Sequence, residues 1–527
     1  MLALLVFAMA QSPLRIAPDA ALFVEVGQRL LDGERPYVDF IEVNTPSVMY
    51  LNAAPGLAAR LLGIHPIAAF NFAIALVVVW STWGVERRAR ALRLDALALT
   101  PALAAAVWAS FSLLLWLTDP WEANDFAQRE HLFALLWVPY ALLRCQSADE
   151  RDSARVAAVG YGVAAGIGCC LKPHFLAVAL SVELALAATR RSWRQALSPE
   201  CFALAAVAVL SVGQFVLLPA TARDEFFGRW LPFIREHYWA YALSNRWTLH
   251  PSLAAAAAIG GAAVIHGLRI GGRDRAAAVY VSLGMFTLGG LVLVYLQAKG
   301  FFYHRIPALA GMSLLAAIAV AQLSARYLSR RLGARRPVLA ASIVAVPLWL
   351  ILLAVTPAVL AERGDGNRFL PVIRELLRTY AEDGEPIAIL STSVWPQYPT
   401  LPQVERRQAT RYLGLGYVSL AVAARTAGDQ GRSMNLILSE LAADLRRHRP
   451  PLILIWHASC LECRNGLGGE LGENDDMRAL LTDYQQLNAD GLFESGILLV
   501  RSDRVPRGTR SPLTGAIEAQ DRRKQQQ

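Results

Sequence analysis

The sequence predicts a polytopic α-helical membrane protein with a small α/β domain at its C-terminus, on three observations. The 527-residue chain is 55% hydrophobic and only 18% charged, with mean hydropathy +0.35, too apolar for a soluble enzyme. Its apolar residues come in blocks: a bilayer core about 30 Å thick takes roughly 20 of them per helix, and such windows recur to residue 360 and then stop. Beyond that point, helix-like and strand-like stretches alternate.

The first window, MLALLVFAMA at residues 1–10, reads as an incomplete first transmembrane helix. A cleaved signal peptide fits less well, because no basic segment precedes it and its small-residue site is poor. Ten further spans are expected near 66–85, 97–117, 131–145, 156–172, 174–189, 201–220, 251–268, 276–297, 306–325 and 337–360, about eleven in all. Short Arg- and Lys-rich loops stay in the cytoplasm. ERRARALRLD (86–95), TRRSWR (189–194), RIGGRDR (269–275) and RYLSRRLGARR (326–336) alternate with the spans so as to share that side. The N-terminus is then cytoplasmic, while loops 11–65, 118–130, 221–250 and 298–305, and everything after 360, lie outside. The net charge of +9 reflects this topology. A nucleic-acid partner would need a clustered basic face with stacking aromatics, and the sequence has none.

The expected organisation is a membrane domain over 1–360 with a first outer loop of 11–65, an extracytoplasmic α/β domain over 361–503, and a disordered tail over 504–527 rich in Arg, Gln, Ser and Pro. Within the α/β domain, helix-like FLPVIRELLRTYAE (369–382) precedes strand-like PIAILS (386–391), and NLILSELAADLRRH (435–448) precedes PLILIWH (451–457). LLTDYQQL (480–487), read as helix, leads to GILLVRS (496–502), so the alternation implies a sheet with helices packed on it. Cys145, Cys169, Cys170 and Cys201 lie in or beside predicted helices and read as small buried hydrophobes. Cys460 and Cys463, in SCLEC on the exported side, form a candidate disulfide, since no second pair completes a zinc site.

The outer loops carry the chemistry. Loop one holds six carboxylates, Asp19, Glu25, Asp32, Glu34, Asp39 and Glu42, most of which read as solvated. Asp19 stands apart: it opens the helix-like run DAALFVEVGQRLLDG after Pro18, at the membrane boundary where a lipid headgroup would sit. The next outer loop, TDPWEANDFAQREHLF (118–133), carries Asp125, Arg129, Glu130 and His131. Asp125 and Arg129, spaced i,i+4, would share a helical face, as an ordinary ion pair or with Arg129 facing an anionic substrate oriented by Glu130 or His131. CLKPHF (170–175) places Lys172 and His174 at a tight outer turn, and QAKGFFYHRIP (297–307) places Lys299, His304 and Arg305 at another. A boundary lysine also snorkels to headgroups, and the aromatics of 221–247 read either as interface anchors or as an amphipathic helix over the site. A carboxylate facing several cations suits sugar transfer from a lipid-linked phosphate, in which a base takes the acceptor proton and cations stabilise the departing phosphate. No GxSxG, HExxH or Walker motif points elsewhere.

The early Asp outside the first helix, the LLDGERPYVDFIEVNTP that follows, the run of spans, the DFAQREHL and KGFFYHRIP segments and the terminal exported domain together resemble the GT-C glycosyltransferases. This superfamily includes protein O-mannosyltransferases, lipid A aminoarabinose transferases and the bacterial Rgt-type lipopolysaccharide transferases. The resemblance covers residues 10–360. It implies an inverting transfer from a polyprenyl-phosphate sugar to a lipid, glycan or protein acceptor at the outer face of a bacterial cytoplasmic (inner) membrane, with the first-loop Asp as base. Asp19 matches that position. Many members carry a second acid beside it, where this chain has Ala20, so Asp125, Glu42 and Asp39 remain open as the second carboxylate and metal dependence is open with them; no other cofactor is expected.

On this reading Lys172, Arg129, His304 and Arg305 contact the donor phosphate, and Tyr37, Trp121 and Tyr303 stack on sugar faces. A transporter or flippase of lipid-linked glycans is the alternative from another class. It would place ionisable residues inside helices near the midplane, where Glu183 is the main example. A glycan polymerase or ligase, with its key residues in one late outer loop, and a silent assembly partner acting through the α/β module complete the alternatives.

Overall fold

The computed structural model describes residues 1–93, 100–118, 125–193, 197–241, 250–271, 274–299, 301–332, 337–363, 367, 369–426, 431–456, 460, 463, 466–487 and 496–505. Trp121 and most of the 504–527 tail lie outside these residues.

Each of the eleven apolar windows contains a helix. In chain order the helices are α1 (Leu2–Gln11), α2 (Pro18–Leu31), α3 (Pro46–Leu62), α4 (Pro66–Ala91), α5 (Pro101–Leu117), α6 (Arg129–Arg144), α7 (Ala148–Asp152), α8 (Arg155–Cys170), α9 (Phe175–Arg190) and α10 (Pro199–Leu217). They continue with α11 (Ala220–Glu225), α12 (Leu231–His237), α13 (Pro251–Ile270), α14 (Arg275–Gln297), α15 (Ile306–Leu332) and α16 (Pro337–Arg363). Proline occupies the first position of α2, α3, α4, α5, α10 and α13, where its locked φ is preorganised and its missing N–H is no loss. Among the described residues, Pro66–Ala91, Pro199–Leu217, Pro251–Ile270, Arg275–Gln297 and Phe302–Tyr327 are long and apolar enough to cross a membrane. The molecule is therefore a polytopic helical protein.

The bundle packs as α13 on α14, α14 on α9 and α15, α8 between α6 and α10, and α4 between α5 and α6. The first outer loop is not a solvated loop. It contains two helices, α2 and the unforeseen α3, which cross at Gly27. A Cβ there would come within 2.3 Å of the Asn52 carbonyl oxygen, so only glycine permits the approach. The segment expected as an amphipathic helix over 221–247 is α11, a π-helical turn at Phe226–Trp230, α12 and a 3-10 turn at Tyr238–Tyr241; residues 242–249 lie outside the description.

The C-terminal part holds α17 (Leu370–Tyr380), β1 (Ala388–Leu390), α18 (Gln397–Gln403), α19 (Gly416–Thr426), α20 (Arg432–His448), β2 (Leu452–Trp456), α21 (Gly466–Glu473), α22 (Asp475–Leu481), β3 (Tyr484–Leu487) and β4 (Gly496–Arg501). Its sheet has the order β1-β2-β4-β3, with β1 and β2 parallel and the other pairs antiparallel. Residues 480–487 are thus a correction: the helix ends at Leu481 and Tyr484–Leu487 is an edge strand. Tyr484–Leu487 pairs antiparallel with β4, and this tertiary pairing outweighs the segment's helix-like spacing. Cys460 and Cys463 are joined in a disulfide.

Candidate active site

Five chain segments converge at one end of the bundle. The start of α2 brings Asp19, the loop before α3 brings Glu42 and Asn44, and the start of α6 brings Gln128, Arg129 and Glu130. The α8–α9 turn brings Lys172 and His174, and the α14–α15 turn brings Gln297, Lys299, Tyr303 and His304. Local sequence explains the placements. Pro18 opens α2 and fixes Asp19 in its first turn. Pro173 cannot continue a helix, so α8 ends at Cys170 and Lys172 stands at the turn. Ala127 has φ 62, a left-handed bend that swings the chain into α6. Its N–H donates to His131 Nδ1 at 3.2 Å, while His131 Nε2 meets Ser112 Oγ at 3.1 Å. Both ring nitrogens are taken by the fold, so His131 pins the bend instead of facing a substrate.

Gln128 Nε2 donates to Asp19 Oδ2 at 3.2 Å. Arg129 Nη1 donates to Asn44 Oδ1, and Asn44 donates to Glu42 Oε1 through its side-chain amide and, at 3.0 Å, its backbone N–H. Lys172 Nζ lies 2.6 Å from Glu130 Oε1, 3.4 Å from Gln297 Oε1 and 5.2 Å from the Tyr303 ring centroid. His304 Nε2 is 4.0 Å from the same Glu130 oxygen, and Lys299 Nζ sits over the Tyr238 ring. Within this enclosed cluster, Arg129 Nε, Glu130 Oε2, His174 Nε2 and His304 Nδ1 are buried and have no hydrogen-bond partner among the described residues. Buried polar atoms are normally matched, so these are the valences a polar headgroup would fill.

Burial sets the electrostatics. It raises Asp19 above the ordinary carboxylate range, against the pull of Arg129, Lys172 and Gln128. It raises Glu42 as well, opposed by Arg129 and the Asn44 hydrogen bonds, with the Asp19 charge adding to the rise. Burial pulls Lys172 down to about 8, resisted chiefly by Glu130, and takes Lys299 down to about 7, with Lys172 adding to the shift. His174 falls to about 3 through burial and the neighbouring Lys172, Arg129 and Lys299, and is neutral at physiological pH. The cluster thus holds carboxylates poised to bind a proton beside cations poised to lose one, which is how a site is tuned for proton transfer next to an anion.

Several expected partners lie elsewhere. Asp125 does not share a helical face with Arg129, because α6 begins only at Arg129. The positive charge that acts on Asp125 is Arg305, and burial lifts Asp125 to about 7. Arg305 in turn stacks on Phe302 with its guanidinium carbon 4.4 Å from the ring centroid, so it is taken up outside the Lys172–Glu130 cluster. Asp39 is held at the surface by Arg35 at 2.9 Å; of the three candidate second acids, only Glu42 shares Arg129 with Asp19. Tyr37 is wholly buried, with Phe226 against its ring at 4.6 Å and its hydroxyl donating to the Asn44 carbonyl at 2.7 Å, leaving no face for a sugar. Tyr303 keeps its place in the cluster. Gln128 and Gln297 escaped sequence reading because neutral amides carry no charge signal; their only mark was adjacency to Arg129 and to the QAKG turn. Among the described residues no group of three or more His, Cys, Asp or Glu side chains gathers to hold a metal ion.

The opposite end of the bundle is tied by a separate network. Arg144 is bonded to Glu183 at 2.9 Å and to Glu200 at 2.6 Å, Arg151 reaches Glu200 at 2.8 Å, and Tyr140 donates to Glu183 at 2.9 Å. Glu183, midway along α9, is therefore paired with Arg144 at the end of α6 and is not an isolated charge.

No protein-family model matches the sequence, and no curated protein matches it. Among solved structures, the crystal structure of ArnT from Cupriavidus metallidurans bound to undecaprenyl phosphate matches with a TM-score of 0.55 at 14% identity, covering 96% of this chain and 98% of that one. The chain therefore shares the overall fold of that structure, in line with the polytopic helical architecture expected from the sequence.

Proposed function

We propose that this chain is an inverting glycosyltransferase that moves a sugar from a polyprenyl-phosphate donor to a lipid, glycan or protein acceptor at the outer face of a bacterial cytoplasmic membrane. The observation that carries the reading is the buried cluster in which Asp19 and Glu42 share Arg129 beside Lys172, Lys299 and His304, with Arg129 Nε, Glu130 Oε2, His174 Nε2 and His304 Nδ1 lacking hydrogen-bond partners among the described residues. The undecaprenyl phosphate bound to the structural neighbour supports a lipid phosphate as the ligand.

In this reading Asp19 takes the proton of the acceptor hydroxyl as that oxygen attacks the anomeric carbon and the bond to the donor phosphate breaks. Burial makes Asp19 a stronger base than a solvated aspartate. Arg129 meets the departing phosphate as a planar fork, and Lys172 meets it as a compact charge. Glu42, through Asn44, fixes the guanidinium. In this reading the chain crosses the membrane about eleven times from a cytoplasmic N-terminus, which puts the cluster and the C-terminal domain on the outer side. The Glu183 network weakens the transporter alternative, since that mid-helix charge is already paired with Arg144.

The test is turnover of a panel of polyprenyl-phosphate sugars by the full chain in proteoliposomes, read as release of polyprenyl phosphate. Turnover of at least one donor is expected. If every donor were left intact while a labelled lipid-linked glycan crossed the bilayer, the protein would be a transporter.

A further inference from the structure

The helix that carries Asp19 and the chain on either side of it are gripped by the C-terminal module at three places. Six residues along α2 from Asp19, Glu25 is buried, and its carboxylate accepts from Arg29 Nε at 2.9 Å, from Tyr398 OH at 2.9 Å and from the Gln408 N–H at 3.1 Å. Arg29 closes the link by donating to the Gln408 carbonyl at 2.5 Å. Gln408 is itself zipped into the sheet, its amide exchanging both hydrogen bonds with the backbone of Ile389 on β1 at 3.0 and 2.8 Å. On the other side of Asp19, Gln403 Nε2 donates to the Leu14 carbonyl at 2.8 Å. The third grip lies one residue before Glu42, where the Ile41 N–H donates to the Arg411 carbonyl at 2.7 Å.

We infer that residues 398–411 of the C-terminal module are a positioning element for the reaction, holding Asp19 and Glu42 in register with Arg129. The inference rests on the transferase reading for its kinetic arm and on geometry alone for its structural arm. A solvated loop helix would be free to rotate Asp19 away from the cations. Here the charge pair of α2 is buried in contact with a strand edge, so α2 moves only if the module moves. Tyr398 and Gln403 touch no reacting group in this reading; they act through α2 and the chain before it. A base must sit within hydrogen-bond reach of the proton it takes, and a displacement of about 1 Å from a remote change can cost 10²-fold.

The experiment compares the full chain with Tyr398→Phe and Gln403→Ala, and with Arg504→Ala, which breaks an ion pair with Glu382 and Glu385 that is part of none of the three grips. Each is assayed for kcat and donor KM in proteoliposomes and for hydrogen–deuterium exchange over residues 14–31. The expected result for Tyr398→Phe and Gln403→Ala is a roughly ten- to hundredfold lower kcat at unchanged donor KM, with faster exchange confined to 14–31 and no effect of Arg504→Ala. If Tyr398→Phe assembles poorly, Gln403→Ala decides in its place. Wild-type kcat in an assembled variant, or unchanged exchange over 14–31, overturns the inference. A wild-type protein that turns over no donor overturns the transferase reading instead, and the exchange measurement then decides the positioning.

Discussion

Lys172 Nζ stands 2.6 Å from Glu130 Oε1, with the carboxylate wholly buried. This pair sets both the charge of the cluster and its stability. Removing one partner of a buried pair leaves the other uncompensated, at about 3–5 kcal/mol. Lys172→Met is therefore expected to lower the thermal unfolding temperature in detergent and to abolish transfer. Lys172→Met/Glu130→Gln recovers the unfolding temperature and not the transfer. A double variant that regains activity would remove Lys172 from phosphate recognition.

The pH–rate profile follows from the same groups. The base must be ionised, so the rate falls as pH drops through the raised Asp19 value; Lys172 must be charged, so the rate falls again as pH rises past about 8. Because Glu130 holds the Lys172 value up, Glu130→Gln moves the alkaline limb to lower pH. Interacting groups titrate together, so the limbs belong to the cluster, and the direction of the shift is the measured quantity.

The two acids left open beside Asp19 separate cleanly. Asp39→Asn breaks an exposed pair with Arg35, worth about 0–1 kcal/mol, and leaves transfer at the wild-type level. Glu42→Gln removes the charge that organises Asn44 and Arg129; the loss of a charged hydrogen bond, about 1.5–3 kcal/mol, corresponds to roughly 10- to 100-fold in kcat. Equal rates for the two variants would displace Glu42 from the site.

Arg129→Lys keeps the charge and loses the fork that reaches Asn44. A lysine cannot hold a bidentate anion and a side-chain amide together, so kcat/KM for the donor falls while the protein remains assembled, as judged by gel filtration and unfolding temperature. In contrast, EDTA is expected to leave turnover unchanged, since in this account side-chain cations supply the phosphate stabilisation; rescue of a chelated enzyme by a divalent ion would revise that.

Much of this arrangement was legible from residue type and order. The apolar windows are helices because a long block of apolar residues has no other way to satisfy its backbone in a bilayer. The Pro-Asp start of α2 marked Asp19, and the Lys-Pro-His turn marked Lys172. Long-range partners were not legible. Glu25, Asp32 and Glu34 looked like solvent-facing neighbours of Asp19, yet they bind Arg29, Arg60 and Arg407, and Arg407 lies in the C-terminal module, far away in sequence. Tyr37 looked like a sugar platform because sequence reports a ring and not what covers it. Asp125 and Arg129 have helical spacing, but the left-handed Ala127 between them breaks the face they were expected to share.

The most direct test is Asp19→Asn, assayed beside wild type with a donor the wild type turns over. The variant keeps the shape of the side chain and an oxygen for Gln128 but cannot take a proton. A fall in kcat of about 10²–10⁴, with donor binding and unfolding temperature unchanged, is the predicted result. Full transfer by Asp19→Asn would contradict the assignment of Asp19 as the base.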